Sequence, residues 1–276
     1  MRRPRVGKVR YINCEPVYYG IEEGAVEADC DMVEGTPAEL NRMLERGDLD
    51  ISVISSVAYA QAPGKYRLFQ DLAIACDGAV GSVLFLSRLP LADLHGEKVL
   101  VTQESLTSVY LLRILLARGH GVHPLYLRGE VRGELPEEVA ACLLIGDPAL
   151  QAGHERRYPH QLDLGQGWKE LTGLPFVFAF WGVGEEFYQA HLEETRDLHR
   201  ALLASKAYSL ARAEAISAAV HERVGISEEA CLNYFRKQLS FDLTPRHLDG
   251  FERFLQMPEM KGLVPPPIPW RFVERT

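Results

Sequence analysis

Residues 30–54 read CDMVEGTPAELNRMLERGDLDISVI and contain one complete strand–helix–strand unit. Cys30–Glu34 and Asp50–Ile54 have the short, apolar-rich composition of strands. Between them, Thr36 is a predicted helix N-cap, and Glu39 stands where a capping box requires an acidic residue. A strand, a crossing helix and a second strand favour parallel pairing under a layer of helices. The unit therefore predicts an α/β protein.

The same alternation of strands and helices extends in both directions from this unit. One group of predicted strands fills the first third of the chain and a second group fills the middle third. Helical periodicity dominates from Glu185 to about Pro258. The strongly apolar strands Val83–Ser87 and Phe176–Gly182 are predicted to cross between the two groups. We therefore expect two sheets, with the last helices returning to the first sheet.

This discontinuous plan is that of the type II periplasmic-binding-protein fold, an α/β fold with two lobes. Each lobe contains a helix-flanked sheet, and the ligand cleft lies between the lobes. The predicted lobe I comprises residues 1–87 and 182–276, and the predicted lobe II comprises residues 88–181. In such folds the ligand site lies at the carboxyl ends of the strands.

The composition narrows the range of partners. The chain has 276 residues, 47% of them hydrophobic, and a formal net charge of -8, which argues against nucleic acid or an anionic membrane as the main partner. No window approaches the roughly 20 apolar residues that span a bilayer. The N-terminus leads straight into the predicted strand Val6–Ile12 without a secretory stretch. We expect a cytoplasmic protein with a small-molecule ligand.

Several kinds of chemistry have no motif in the sequence. The five cysteines form no C-x-x-C pair, which is typical of reduced core thiols. The chain has no H-E-x-x-H motif, no glycine-rich nucleotide fingerprint and no G-x-S-x-G elbow. We therefore predict no metal, no nucleotide cofactor and no conventional hydrolase site.

Small polar residues stand at the predicted strand ends and helix starts. Each is an ordinary turn or cap residue when taken alone. In a two-lobed protein, however, all of them would face one cleft. Hydroxyls and backbone N–H groups at a helix start can bind carboxylates without a fixed positive charge. The candidates for binding an anion with one or two carboxylates are Asn13, Ser55, Ser56, Gly81, Ser82, Thr107, Ser108, Gly146 and Asp147.

Six segments together resemble one known family. They are RVGKVRYINCEP (5–16), GDLDI (47–51), CDG (76–78) with Ser82, TS (107–108), LIGDPAL (144–150) and WKELTGLPFVFA (168–179). In order and spacing they are similar to the chorismate dehydratases of the futalosine route to menaquinone. The resemblance extends from about residue 5 to residue 255.

The resemblance implies both a fold and a reaction. The family has the type II binding-protein fold and converts chorismate to 3-[(1-carboxyvinyl)oxy]benzoate by loss of water, with no metal or organic cofactor. Its cleft asparagine and serine correspond to Asn13 and Ser82, which are therefore the expected catalytic residues. The family is thought to use the enolpyruvyl carboxylate of the substrate as the proton acceptor. The other seven candidates rest on their placement alone.

Two other functions remain open at this level. A sister family with the same fold makes 1,4-dihydroxy-6-naphthoate with a catalytic histidine in the cleft, but its opening motif differs and this chain has no histidine near the predicted strand ends. A solute-binding or sensor protein would share the fold without turnover. Glu15 is an unexpected neighbour of Asn13, because it would either point to solvent or repel a dianionic substrate.

Overall fold

The computed structural model describes residues 2–130, 135–264 and 269–274. Within these ranges the strands are β1 (Arg5–Val9), β2 (Asp31–Gly35), β3 (Ile51–Ser55), β4 (Tyr66–Cys76), β5 (Val83–Ser87), β6 (Lys98–Val101), β7 (Leu125–Arg128), β8 (Ala141–Ile145), β9 (His160–Asp163) and β10 (Phe176–Gly184). The helices are α1 (Glu15–Glu22), α2 (Pro37–Arg46), α3 (Ser56–Gln61), α4 (Leu106–Gly119), α5 (Asp147–Glu155), α6 (Leu164–Thr172), α7 (Glu185–Ala190), α8 (Leu192–Leu210), α9 (Ala213–Val224), α10 (Glu228–Asn233) and α11 (Pro245–Leu255).

The strands form two five-stranded sheets, which confirms the predicted two-lobed α/β architecture. The first sheet has the order β2-β1-β3-β10-β4, and the second has the order β7-β6-β8-β5-β9. In each sheet three neighbouring strands run parallel. A fourth strand, β10 in the first sheet and β5 in the second, enters antiparallel beside them. Each sheet therefore receives one strand that arrives from the other lobe.

These two arriving strands correct the predicted lobe boundaries. Val83–Ser87 pairs with β8 and β9 in the second sheet, and β10 pairs with β3 and β4 in the first. The boundaries at 87/88 and 181/182 therefore assign β5 and most of β10 to the wrong sheet. Both strands are almost entirely buried, and an apolar strand is buried on both faces only inside a sheet. The chain crosses between the lobes in residues 77–82 and 173–175.

The unit at residues 30–54 folds as its sequence predicts. The Thr36 hydroxyl accepts a hydrogen bond from the Glu39 backbone at 3.3 Å, and the Glu39 carboxylate accepts one from the Thr36 N–H at 2.9 Å. Gly47 ends the helix with a left-handed φ of 77°. The strands on either side of α2 both run parallel to β1, which lies between them.

The C-terminal helices return to the first lobe through two close approaches. At Gly20 on α1, a Cβ atom would lie 2.9 Å from the Ser205 hydroxyl on α8, and the Gly20 N–H donates to Ser209 at 3.1 Å. At Gly250 on α11, a Cβ atom would lie 2.0 Å from the Pro175 carbonyl oxygen. Glycine at these positions lets α8 and α11 pack directly on the first lobe and on the second crossing segment.

The core contains most of the large aromatic side chains. Trp168, Phe176 and Trp181 are fully buried. The Trp181 indole donates to the Tyr18 hydroxyl at 2.9 Å, and the Trp168 indole donates to the Pro175 carbonyl at 3.1 Å, so both polar groups are satisfied. All five cysteines are buried and unpaired. Among the helices described, none has the length and apolar content needed to cross a membrane.

Candidate active site

A cavity of about 70 Å³ lies between the two lobes at the carboxyl ends of the central strands. We refer to it as the interlobe cavity. Its polar lining consists of Tyr11, Asn13, Ser55, Ser82, Ser105, Ser108 and the backbone of Gly146. Its apolar lining consists of Val9, Cys14, Pro37, Val53, Ile74, Val80, Val83, Ile145, Phe178 and Ala179. As far as the structure describes the chain, no charged side chain and no histidine lines this cavity.

The structure brings five of the nine predicted residues to the cavity wall and places four outside it. Asn13, Ser55, Ser82, Ser108 and Gly146 line the cavity. Ser56, Gly81, Thr107 and Asp147 do not belong to its lining and make hydrogen bonds that hold the wall in place. Sequence reasoning missed Tyr11 and Ser105, two further polar groups of the wall.

Asn13 lies in a single 3-10 turn, Ile12–Cys14, that directly follows β1. Its side-chain Oδ1 is buried and has no hydrogen-bond partner in the protein. A buried acceptor without a donor costs about 1–3 kcal/mol, so native structures rarely keep one without a reason. Because Asn13 belongs to the lining of the cavity, a ligand there that donates a hydrogen bond to this atom would relieve the deficit.

Ser82 lies in the first crossing segment and is 3% exposed. The Asp163 carboxylate accepts hydrogen bonds from the Val80 N–H at 3.0 Å and the Gly81 N–H at 2.7 Å. Burial raises the pKa of Asp163, and these backbone donors oppose the increase. Asp163 is also the N-cap of α6, because it accepts from the Gln166 N–H. One carboxylate therefore holds both the loop that carries Ser82 and the start of the next helix.

Ser55 and Ser56 have different environments. The Ser55 hydroxyl caps α3 by accepting from the Ala58 N–H, and the same residue lines the cavity. The Ser56 hydroxyl faces Thr107 in the opposite lobe, with 3.3 Å between the two oxygens. The Thr107 hydroxyl also accepts from the Val57 N–H at 3.1 Å. Ser56 and Thr107 therefore connect the lobes, and both are fully buried.

The helix α4 begins at Leu106, and Ser105 is its N-cap. The Ser105 hydroxyl accepts from the Ser108 N–H at 3.2 Å and donates to the Ser108 hydroxyl at 2.8 Å. Thr107 is occupied by its contact with the other lobe. The first turn of a helix has no internal acceptor for its N–H groups, and Ser105 and Ser108 at the start of α4 both line the cavity.

Tyr11 closes one side of the interlobe cavity. Its hydroxyl donates to the Glu104 carboxylate in the second lobe, and burial together with this contact raises the pKa of Tyr11. A Cβ atom at Gly146 would lie 2.6 Å from the Tyr11 ring, and Gly146 has a φ of 66°. Tyr11 also borders a second hollow of about 450 Å³ that contains Arg42 and Glu104. Tyr11 is therefore part of the wall of both hollows.

Asp147 lies behind the cavity wall. Its Oδ1 accepts a hydrogen bond from the Ile12 N–H of the first lobe at 2.9 Å. Burial raises the pKa of Asp147 to about 6, although the Ile12 N–H and the charge of Arg223 oppose the increase. The expectation that Asp147 contacts the ligand is not supported by this geometry, because its carboxylate is directed at the backbone beside Asn13.

Glu15 neither points to solvent nor faces the cavity. It is 5% exposed, and its carboxylate accepts from Lys8 at 3.1 Å and from Arg223 at 2.6 Å. Lys8 also donates to Glu22 at 2.6 Å. Burial alone would lower the pKa of Lys8, but these acidic neighbours raise it above its ordinary value. The charge of Glu15 is thus compensated beneath Asn13, and the predicted repulsion of a dianionic ligand loses its basis.

No group of three or more histidine, cysteine or acidic side chains within the described ranges is arranged to hold a metal ion. The cavity wall itself combines hydroxyls, one amide and helix-start N–H donors with an apolar floor. Such a wall can orient a small anion and stabilise negative charge that develops on it.

The sequence resembles proteins of menaquinone biosynthesis. The family model described as menaquinone biosynthesis matches residues 4–259. A chorismate dehydratase from Thermus thermophilus is 32% identical over 241 residues, which cover 82% of this chain and 84% of that protein. A 1,4-dihydroxy-6-naphthoate synthase from the same organism is 31% identical over 220 residues, which cover 72% of this chain and 71% of that enzyme.

The fold is also found among solved structures. A Candida albicans protein described as having the generic periplasmic-binding-protein fold superposes with a TM-score of 0.66. It covers 92% of this chain and 89% of its own, at 11% identity, so it supports the fold alone. The two sheets, the interlobe cavity and the family match agree with the resemblance seen in the sequence. This chain belongs to the menaquinone-biosynthesis family of proteins, and a chorismate dehydratase is among its relatives.

Proposed function

We propose that this protein is a chorismate dehydratase, a carbon–oxygen lyase that converts chorismate to 3-[(1-carboxyvinyl)oxy]benzoate and water. The single observation that carries the proposal is the unpartnered, buried Oδ1 of Asn13 in the cavity wall. Chorismate carries a C4 hydroxyl that can donate to this atom. It also carries two carboxylates, which suit the hydroxyls and helix-start N–H donors of the wall.

The reaction requires orientation more than a strong base. The C3 hydrogen of chorismate is vinylogously acidic, because its loss moves charge through the C1–C2 double bond toward the ring carboxylate. The C3–H and C4–O bonds then break, a C3–C4 double bond forms, and the ring becomes aromatic. The leaving hydroxide takes up the proton and departs as water.

The side chains of the cavity wall fit this scheme. No histidine or carboxylate among the lining residues stands ready as a base, which favours the enolpyruvyl carboxylate of the substrate as the proton acceptor. Asn13 would orient the departing hydroxyl, and Ser82 lies in the wall as the second expected catalytic group. Ser55 and Ser108 would hold the carboxylates, and Ser105 would orient the Ser108 hydroxyl. Donors fixed in place before the reaction stabilise developing charge without reorganisation.

The sister activity is the second candidate, because the relative that makes 1,4-dihydroxy-6-naphthoate is almost equally similar in sequence. The absence of histidine from the described cavity wall disfavours it. A solute-binding or sensor role is the third alternative, since the fold itself permits binding without turnover.

The test is to mix the purified protein with chorismate after treatment with a chelator and to follow the ring by absorbance and mass. Loss of one water with appearance of an aromatic product is the expected result. Binding of chorismate without turnover would favour a binding protein. Absence of both binding and turnover would overturn the proposal, and the substrate of the sister enzyme would be tested next.

A further inference from the structure

Two adjacent residues, Gly146 and Asp147, contact the backbone beside both expected catalytic residues. The Gly146 N–H donates to the Ser82 carbonyl at 2.8 Å, which extends the ladder between β5 and β8 by one step. The Asp147 carboxylate accepts from the Ile12 N–H at 2.9 Å, across the cleft. Ile12 directly precedes Asn13 in the 3-10 turn. One dipeptide therefore links the Ser82 loop of one lobe to the Asn13 turn of the other.

The local geometry shows that this link is tightly defined. Gly146 has φ 66° and ψ -145°, a backbone conformation that favours glycine. A Cβ atom there would collide with the Tyr11 ring at 2.6 Å. Asp147 begins α5 and is followed by Pro148, so the helix direction is fixed from its first turn. The Asp147 carboxylate is thereby held toward the first lobe.

We propose that Gly146 and Asp147 are positioning residues that set the separation of Asn13 and Ser82 in the closed cleft. This inference rests on the proposed dehydratase function. It assigns to the pair a role different from the direct ligand binding expected from the sequence. The Ile12 N–H is the first donor of a helical turn and has no acceptor within that turn, so the Asp147 carboxylate both satisfies this group and fixes where the turn lies.

The effect is expected on the rate of turnover. A displacement of about 1 Å in a catalytic group can lower a rate by roughly 100-fold. Loss of the Asp147 acceptor would let the Asn13 turn move relative to Ser82. The ligand would still be held by the hydroxyls of Ser55 and Ser108, so affinity should change less than kcat.

The experiment compares three variants of Asp147 in the full chain, with Glu155→Ala at the exposed end of the same helix as the control. Asp147→Ala should lower kcat about 10- to 100-fold, whereas the affinity for the product should fall by no more than the roughly 3- to 10-fold expected when one contact across the cleft is lost. Asp147→Asn keeps an oxygen acceptor at the same place and should remain within about 3-fold of wild type. Asp147→Glu keeps the charge but adds one methylene, and it should be slower than Asp147→Asn.

A double-variant cycle distinguishes positioning from general stability. If Asp147 acts through Asn13, the Asp147→Ala change should cause little further loss in an Asn13→Ala background. Equal losses in both backgrounds, full turnover by Asp147→Ala, or Asp147→Glu as fast as Asp147→Asn would each overturn the inference. Should Asp147→Ala not fold, the comparison of Asp147→Glu with Asp147→Asn still decides. Absence of turnover by the wild-type protein would overturn the proposed function itself, whereas a fully active Asp147→Ala would leave that function standing.

Discussion

At the scale of single residues, the wall of the interlobe cavity contains a buried hydrogen-bond acceptor that has no donor in the protein. Asn13 Oδ1 is buried without a donor, whereas the serine hydroxyls at positions 55 and 105 are engaged in helix caps. An acceptor that is left unpaired in the protein is free to pair with a ligand. In the proposed reaction, Asn13 therefore contributes to ligand binding at the expense of the stability of the ligand-free protein.

Substitution of this residue should separate activity from stability. We expect Asn13→Ala to lower kcat/KM for chorismate by about 100-fold or more, because an oriented amide contact with the reacting group is lost. The melting temperature should stay the same or rise slightly, because a buried unpaired acceptor is removed. Asn233→Ala, at the end of α10 and outside the cavity lining, is the control. Wild-type kinetics in Asn13→Ala would contradict its catalytic role.

The buried carboxyl of Asp147 gives a prediction about pH. Its pKa is raised from 3.8 to about 6 in the folded protein, so folding takes up a proton between these values and the contribution of this group to stability falls as pH rises through that range. Asp147→Asn does not titrate. The free energy of unfolding of Asp147→Asn minus that of the wild type should therefore increase by about 1–3 kcal/mol from pH 4 to pH 7. Denaturant unfolding at several pH values measures this difference, and a flat difference would contradict the raised pKa.

At the scale of secondary-structure elements, carboxylates and hydroxyls hold the crossing segments and helix starts in place. Asp163 is the clearest case, because it accepts from Val80 and Gly81 in the first crossing segment and from Gln166 in α6. At Gly165, a Cβ atom would lie 2.5 Å from both the Cys76 sulfur and the Gly78 carbonyl oxygen. The segment that carries Ser82 is therefore fixed against α6.

Replacement of Asp163 by asparagine should disturb this arrangement. An amide keeps one acceptor but turns an NH2 group toward backbone donors, so at least one N–H loses its partner. We expect the free energy of unfolding of Asp163→Asn to be about 1–3 kcal/mol lower than that of the wild type, and its kcat to be lower as well. Thermal unfolding and steady-state kinetics measure the two effects, with Asp197→Asn at an exposed position of α8 as the control. Unchanged stability would show that the Asp163 contacts are dispensable.

Local sequence patterns predicted the strands and helices well, but they did not predict every strand pairing or every contact between distant residues. The Thr36 and Glu39 capping box is encoded by neighbouring residues and forms as expected, and Gly47 ends the same helix. The strands β5 and β10 were recognised as strands, but their sheet depends on antiparallel partners far away in the chain. The roles of Thr107 and Asp147 depend on contacts across the cleft, and spacing along one chain segment contains no information about the opposite lobe.

At the scale of the whole molecule, hydrogen bonds across the cleft hold the lobes together around the cavity. Tyr11 donates to Glu104, the Ile12 N–H donates to Asp147, and the Val57 N–H donates to Thr107. Only the crossing segments, 77–82 and 173–175, pass directly between the two sheets in the described chain. These polar contacts across the cleft therefore stabilise the arrangement of the two lobes around the cavity.

The Thr107 contact offers a test of this closure. Thr107→Val keeps the branched shape but removes the hydroxyl, and the Val57 N–H loses its acceptor in the closed form. We expect affinity for the dehydration product to fall about 3- to 10-fold, because a smaller fraction of the protein is closed before binding. Titration calorimetry measures the affinity, and Thr195→Val within α8 is the control for loss of a buried hydroxyl inside one lobe. Equal effects of both variants would contradict a role in closure.

The uncharged wall of the interlobe cavity also has a consequence for the course of the proposed reaction. Chorismate and its dehydration product carry the same two carboxylates, so hydroxyls and helix-start donors that hold one will hold the other. The contact at Asn13 is lost with the departing hydroxyl, but the contacts to the two carboxylates are the same for substrate and product. We therefore expect strong product inhibition, with flux through this step governed by how quickly the next enzyme removes the aromatic ether.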